Sequence, residues 1–420
     1  MYQITDDADV LIIGGGTAGH VAAIQAARLG ARTAIIEAGP QLGGTMTTGG
    51  VSFPGLFHAW GRQVIAGIGW ELVLKAVDLD SGTLADFSVV PPRHSQHHVR
   101  INGPLYAALA EESCLEAGVA LHYYETVIGA DRENGAWRVE TVGRGVRRSV
   151  TCRQIIDCTG GADIVGMLGF ERQRGDVIQP GTLIMVLGGY DPDALDADLI
   201  QSRYREALET GELQRGDFAS PDGQFIHFLK GRGTNANHIP GADSSTSVTY
   251  SKTNAAGRAS MLRLLRFIRS LPGCGDARVI QCQAEVGVRE TYRIVGEGTV
   301  TVEDYTSGRK YEDAVCNAFY PIDVHDEHGV TPEPLSPGTV PTVPLSALVP
   351  KGSENLLVAG RSVSSDRLAN SALRVQATCM ATGQAAGACA ALACRAGVTP
   401  LQAPHGELVA VLREHGAIVP

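Results

Sequence analysis

The 420-residue chain predicts an α/β fold. Three stretches carry that reading. Residues 9–37 read as a strand, a glycine turn, a helix and a second strand. Residues 155–158 read as a strand ending in Thr159-Gly160-Gly161. Near the far end, 354–365 is a buried strand running into a glycine turn, followed by a long helix of small residues. Strands that alternate with helices in this way build parallel sheets covered by helices.

The first stretch is DVLIIGGGTAGHVAAIQAARLGARTAIIEAG. Asp9 to Ile13 is a short apolar β run. Gly14, Gly16 and Gly19 fit G-x-G-x-x-G, enclosing Thr17 and Ala18, and Ala18 to Leu29 suits a helix lying on a sheet. Ala34 to Ile36 is the second strand, closed by Glu37 and Ala38 about 20 residues after the glycines. The first glycine permits the turn, the second admits a pyrophosphate, and the third lets helix and strand pack closely. The helix N-terminus offers free N–H groups and partial positive charge to phosphates. Glu37 is expected to accept hydrogen bonds from a ribose diol. A tight βα turn without a ligand is the bland alternative. The strand, helix and acid in register favour a Rossmann-like dinucleotide site.

The C-terminal words are ENLLVAGRSVSS and ANSALRVQATCMATGQAAGACAALACRAG. With the N-terminal unit they resemble the glutathione-reductase-type FAD-dependent oxidoreductases. That resemblance implies a discontinuous Rossmann-like FAD-binding domain and a smaller β-rich α/β substrate cap. It implies that Gly360 and Arg361 lie near the ribityl-phosphate, and Ala372 to Thr378, with Arg374 and Ala377, near the flavin N1–C2=O edge. A positive helix end there stabilises an anionic reduced flavin. It also implies that Val127 meets adenine through its backbone and that the turn at Thr159 and Gly160 passes close to the ADP. Residues 377–398 also read as a buried helix whose Gly383 and Gly387 permit close packing, and both readings hold together.

Five words narrow the resemblance: GGTMTTGGVSFPGLF, HHVRINGPLYAALAEE, VRETYRIVGEGTVTVEDY, YPIDVHDEHG and LLVAGRSVSSDRLANSALRVQATCMATGQAAG. In this order they resemble the bacterial FAD-dependent oxidoreductase family often labelled xanthan-lyase-like. Disulfide reductases carry a redox cysteine pair and a second dinucleotide fold, and neither is read here. The loop QLGGTMTTGG, Gln41 to Gly50, has no cysteine and cannot relay electrons as a dithiol. Its expected use is to lay Gly43, Gly44 and Thr45 against the flavin pyrophosphate and ring; an ordinary glycine loop is the alternative. His58, in FPGLFHAW, is not in the pattern of covalently flavinylated relatives, so non-covalent FAD is expected.

The expected division is an FAD-binding domain from 1–170 and 341–420, with 50–95 open to serving the cap, and a substrate cap from 171–340. In the cap, GTLIMVLGGY and FIHFLKG read as strands, and NAAGRASMLRLLRFIRSLPG as a helix whose Arg258, Arg263, Arg266 and Arg269 form a solvated face. VTPEPLSPGTVPTVP is a Pro-rich connector.

Hydride transfer over a flavin needs a positioned C–H bond and one managed proton. His325, in PIDVHD, is the expected proton-handling group, with Asp323 and Asp326 as orienting neighbours. Arg289, in VRETYR, is the expected substrate anchor, supported by Glu290 or Tyr292. A structural ion-pair group of Arg289, Glu290 and Arg293 is the alternative. His58 is a further candidate at the flavin face, though a lone histidine is more often structural. His94, His97 and His98, in RHSQHH, lack carboxylate or cysteine ligands at matching spacing. A pocket-lining loop is expected there, and no metal.

Net charge of −10 and a pI near 5.7 argue against nucleic acid as a partner. Nine scattered cysteines without a C-x-x-C pair read as reduced thiols of a cytoplasmic protein. The acidic start is no signal peptide, and no apolar run makes a convincing membrane span. The expected activity is hydride exchange between FAD and a small polar organic substrate, a sugar-derived alcohol or hydroxy acid. Oxygen, a quinone or a protein carrier serves as electron acceptor, and a homo-oligomer is left open. The alternatives are a hydroxylase or desaturase fed by a separate reductase, and a non-catalytic FAD-binding protein.

Overall fold

The computed structural model describes residues 1–326, 329–330 and 332–420. Glu327 and His328 of YPIDVHDEHG, and Thr331 of the connector, lie outside the described residues.

A seven-stranded sheet organises the first unit. Strand β1, Tyr2–Ile13, lies parallel to β2, Thr33–Glu37, with Val10 opposite Thr33. On its other side it runs parallel to Val146–Asp157 over the whole length of both. Ala120–Tyr123 extends the sheet beyond β2. Leu356–Val358 joins the last residues of Val146–Asp157 in parallel, and Ala136–Gly143 pairs with its first half antiparallel. The 146–157 strand therefore carries a parallel sheet at one end and a hairpin at the other. Ala136–Gly143 pairs antiparallel in turn with Thr126–Glu133 across a turn at Asn134 and Gly135, both with positive φ (51° and 81°), as a two-residue turn requires. β1 begins earlier than its apolar run because the polar residues 2–8 pair with this extension.

The parallel part is buried, as β1 residues Val10 to Ile13 show. Helix α1, Gly19–Arg28, and the long helix Gln376–Ala396 pack against each other there. A Cβ on Gly383 would stand 2.3 Å from the Ala18 carbonyl oxygen, and one on Gly387 would stand 2.2 Å from that of Ala22. Only glycine permits that approach. The long helix has the length and apolarity to cross a bilayer, yet its apolar window is wholly buried inside the protein.

A second core gathers Met185, Leu187, Tyr204, Phe225, Phe228 and Phe267. Helices Ala197–Thr210, Phe225–Lys230 and Ser247–Ser270 surround it, with a three-stranded sheet of short strands centred on Met185–Gly188. FIHFLK is thus a helix and not the strand its apolar content suggests. Phe225, Ile226, Phe228 and Leu229 bury at helical spacing against the 197–210 helix. On the basic helix Arg258, Arg266 and Arg269 are exposed, while Arg263 holds buried Asp217 at 2.7 Å.

Residues 56–77 and 300–349 pack into the first core, not the second. Helix Ile68–Leu79 lies on the long helix, where Gly69 meets Met380. All nine cysteines are free thiols, eight of them buried.

Candidate functional site: a glycine cradle beside a histidine pair

The turn after β1 closes tightly. Gly14 has φ +96° and donates its N–H to Ile36 at 2.8 Å. A Cβ on Gly19 would fall 1.9 Å from the Gly14 oxygen, whereas one on Gly16 would meet nothing within 4 Å. Gly16 therefore faces open space, and its neighbours do not. The 41–50 loop lies on this turn: Gly43 donates to Gly15 at 2.9 Å, and a Cβ on Gly44 would touch the Gly16 Cα at 3.0 Å. Thr45 accepts the Val51 N–H at 3.0 Å, which folds the loop back on itself. The Thr17 hydroxyl donates to the Gly43 carbonyl at 3.3 Å and stands 3.5 Å from Gln376.

Glu37 accepts the Gly15 N–H at 2.7 Å and the Gly39 N–H at 2.6 Å. Burial pushes its carboxyl up, and the two N–H groups oppose that. Exposed Ala38 sits between them, and the Glu37 carbonyl accepts the Glu125 N–H near buried Val127.

Two further turns converge. Thr159 binds Asp157 through both N–H and hydroxyl, and the same carboxylate accepts Ile164 and Val165 N–H groups. Gly160 has φ +75°. Its carbonyl accepts Arg361 Nε at 2.6 Å, and Arg361 also donates to the Val288 carbonyl at 2.7 Å. Arg361 is thereby spent on tying backbone together. Gly360, φ +88°, places its would-be Cβ 3.3 Å from Ala18 and donates to Thr382.

The long helix starts beside these turns without a side-chain cap. Ala377 donates its N–H to Pro54 at 2.8 Å, and Gln376 donates to Val51 at 2.8 Å. Ala372 is fully buried just before it. Thr378 Oγ1 and Arg374 Nε are buried without a hydrogen-bond partner. Such groups normally find one.

Arg374 leads to the second half of the site. Its Nη2 donates to the Asp323 carbonyl (2.9 Å), to Asp323 Oδ2 (3.3 Å) and to Gln179 Oε1 (3.3 Å). His325 Nε2 lies 3.1 Å from Asp323 Oδ2, and its Nδ1 lies 3.0 Å from His238 Nε2. The His325 N–H donates to Gln179, which itself donates to Glu290. Burial works against the Asp323 carboxylate, but His325, Arg374 and Arg289 outweigh it and hold it at about 2. Burial lowers His325 to about 4, with Asp323 opposing and Arg289 assisting. Buried Arg289 donates to the Pro180 carbonyl and to Thr182, and burial beside Arg374 brings it down to about 9.

His325, Asp323 and Arg289 thus share one electrostatic neighbourhood. Tyr292 stands apart, its ring between Arg172 (4.0 Å) and Arg174 (4.8 Å). The alternative ion-pair group of Arg289, Glu290 and Arg293 is not formed by direct pairing among the three. Glu290 binds Arg367 at 3.3 Å, and Arg293 donates to the Ser365 carbonyl. His58 stacks on Phe87 at 3.9 Å, with Trp70 at its edge, and burial lowers it to about 4. RHSQHH lines the same side: His98 stacks between Phe53 and Tyr320, and Asp323 acts electrostatically on His94 and His98. His238 and Gln179 carry no sequence signal, and Tyr320 stands in YPIDVHDEHG without being singled out there. His238 sits in TNANHIPGAD, where nothing marks it as chemical.

A family model described as "FAD dependent oxidoreductase" matches residues 9–414. The chain belongs to that family. Among curated proteins it is similar to a mitochondrial dihydrolipoyl dehydrogenase of Caenorhabditis elegans, 54% identical over 44 residues, covering 10% of this chain and 9% of that one. It is similar also to mitochondrial dihydrolipoyl dehydrogenase 2 of Arabidopsis thaliana, 50% identical over 81 residues, 18% and 16% of the two chains. The chain therefore spans only a small part of those relatives. Among solved structures, a geranylgeranyl bacteriochlorophyll reductase-like protein of Thermoplasma acidophilum aligns with TM-score 0.45 and 14% identity over 98% of this chain and 84% of that one. An anhydrotetracycline hydroxylase of Streptomyces rimosus aligns with TM-score 0.31 and 18% identity over 46% and 41%.

This FAD-dependent oxidoreductase has residues that fit its cofactor. The open face over Gly16 admits a pyrophosphate beside the N-terminus of α1. The unpartnered Thr378 hydroxyl and Arg374 Nε await a polar group at the start of the long helix.

Proposed function

We propose that this flavoenzyme exchanges a hydride between non-covalently held FAD and a small polar organic substrate, with His325 handling the accompanying proton. A sugar-derived alcohol or a hydroxy acid is the proposed substrate class, and oxygen, a quinone or a protein carrier the electron acceptor. Bound FAD supplies the two-electron chemistry. Gly14, Gly16, Thr17, Ala18 and Gly19 hold its pyrophosphate with Gly43, Gly44 and Thr45. Glu37 serves the ribose, Val127 the adenine, and the turns at Thr159, Gly160 and Gly360 the middle of the molecule.

One observation carries the reading. Arg374, at the entry to the long helix, grips Asp323, and Asp323 grips His325. The proposed base and the start of the long helix are thereby linked through one carboxylate, Asp323. A neutral imidazole is the competent form of a general base, and burial keeps His325 neutral at pH 7. Arg289 and Arg374 bring positive charge to the same place, which favours a substrate alkoxide or carboxylate.

The test is anaerobic flavin bleaching against sugars, hydroxy acids, amines and enoates. A hydroxy compound should bleach the flavin, and His325→Ala should slow bleaching while FAD stays bound. Loss of FAD from that variant would make His325 a structural residue. Bleaching by no compound at all would end the reading.

A further inference from the structure

We infer that His238 is a proton-relay residue of this centre: it fixes His325 as the Nε2–H tautomer and shares with it the proton that leaves the substrate. The inference rests on the proposed reaction, and its first test does not.

The argument follows hydrogen-bond bookkeeping. The Asp323 carboxylate only accepts, and it already accepts from Arg374. The nitrogen facing it at 3.1 Å, His325 Nε2, must therefore carry hydrogen. In a neutral ring the other nitrogen, Nδ1, is then bare. His238 Nε2 stands 3.0 Å from that lone pair, so His238 must donate there. Its own Nδ1 is left bare in turn. The backbone of Asp326 hydrogen-bonds to His238 in a way that favours the protonated ring. Two imidazoles thus lie between acceptors, one hydrogen short of satisfying every contact. The line has room for one proton.

The surroundings hold that vacancy open. Arg289, His325 and Asp326 face His238; Asp323, Arg289 and Arg374 face His325. Burial, Arg289 and His325 keep His238 neutral. When the substrate O–H bond breaks, its proton is taken at His238 Nδ1, the one ring nitrogen of the pair with neither a hydrogen nor a donor. The His238 Nε2 hydrogen passes to His325 Nδ1, and the C–H electron pair leaves with the hydride to the flavin. In the second half-reaction the stored proton leaves with the reduced acceptor where that is oxygen or a quinone, and passes to water where a protein carrier takes electrons alone. Asp323 and Asp326 supply the compensating acceptors.

His238 is also placed rigidly. Its N–H donates to the Gly216 carbonyl at 2.7 Å, and a Cβ on Gly216 would fall 2.3 Å from the His238 oxygen. Its neighbour Asn237 accepts from Thr182 and Leu183. The ring thus comes from the second unit to meet His325, with ring planes inclined at 67°.

The first test uses the FAD-loaded protein with isotope-labelled imidazole nitrogens at pH 7. Both rings should read as Nε2–H tautomers. His325 as the Nδ1–H tautomer, or His238 charged, overturns the inference whatever the substrate proves to be. The second uses His238→Gln, whose amide still donates to His325 but stores no proton, beside His238→Ala. With any compound that bleaches the wild type, both should keep full FAD and lose about tenfold or more in bleaching rate at pH 7, with an altered pH profile. A wild-type rate and profile in His238→Gln would reduce His238 to a spacer and overturn the inference. If nothing bleaches the wild type, the reaction reading fails while the tautomer result stands on its own.

Discussion

The Glu37 carboxylate accepts the Gly15 N–H at 2.7 Å, so the acid at the end of β2 holds the glycine turn at the end of β1. The other oxygen takes Gly39 at 2.6 Å. An acid expected to serve a ribose therefore also shapes the loop around it. Glu37→Gln replaces one acceptor with a donor that faces an N–H. It should cost about 1–3 kcal/mol of loop order, seen as FAD affinity weakened by about tenfold or more. Fluorescence titration of FAD into cofactor-stripped protein measures this, and unaltered affinity would count against the role.

Gly16 and Gly19 should fail in different ways. Gly19→Ala forces a carbon 1.9 Å from the Gly14 oxygen and should prevent stable folding. Gly16→Ala meets nothing within 4 Å and should fold with an unchanged cofactor-free melting temperature, yet bind FAD poorly. A Gly16→Ala protein that stays fully yellow would show that the open face is not used.

Asp323→Asn removes the acceptor that dictates the His325 tautomer. By the logic of buried carboxylate–histidine pairs, the bleaching rate should fall about 100-fold or more with FAD content unchanged. Stopped-flow absorbance under nitrogen gives the rate, and a loss under threefold would contradict the assignment.

Acid should weaken the fold before the carboxylates titrate. Burial holds His20 and His325 at about 4 and His238 at about 3. In the unfolded chain a histidine titrates at about 6.5. Above that value neither state takes the proton, and the stability is fully present. Between about 6.5 and 4 the unfolded chain takes protons that the folded protein refuses, so stability falls as pH falls. The melting temperature should drop from pH 7 to pH 5. A flat profile there would mean these rings are charged in the fold.

The cradle was legible because each of its glycines answers to a backbone demand local in sequence. Gly14 needs a positive φ, Gly19 needs to lose its Cβ, and an acid follows one strand later. The long helix was legible from small residues alone. The histidine line was legible only at one end. His325 stood beside Asp323, but His238 comes from 87 residues away and meets it through tertiary packing that no local pattern encodes. FIHFLK misled because a short apolar run has no period of its own until a neighbour, here the 197–210 helix, supplies one face. Arg361 shows a third kind of gap. The resemblance put it near the ribityl-phosphate, and nothing in the sequence marked its guanidinium as the partner of the Gly160 and Val288 carbonyls.

Gly383 and Gly387 seat the long helix directly on the backbone of α1, more than 350 residues earlier in the chain. During synthesis the α1 segment leaves the ribosome before the long helix and must wait with that flank bare until residues 376–396 emerge. A premature stop upstream of residue 376 leaves the nascent product with that flank of α1 unsheltered. Such fragments should be clients of chaperones and proteases, and none should be recovered coloured.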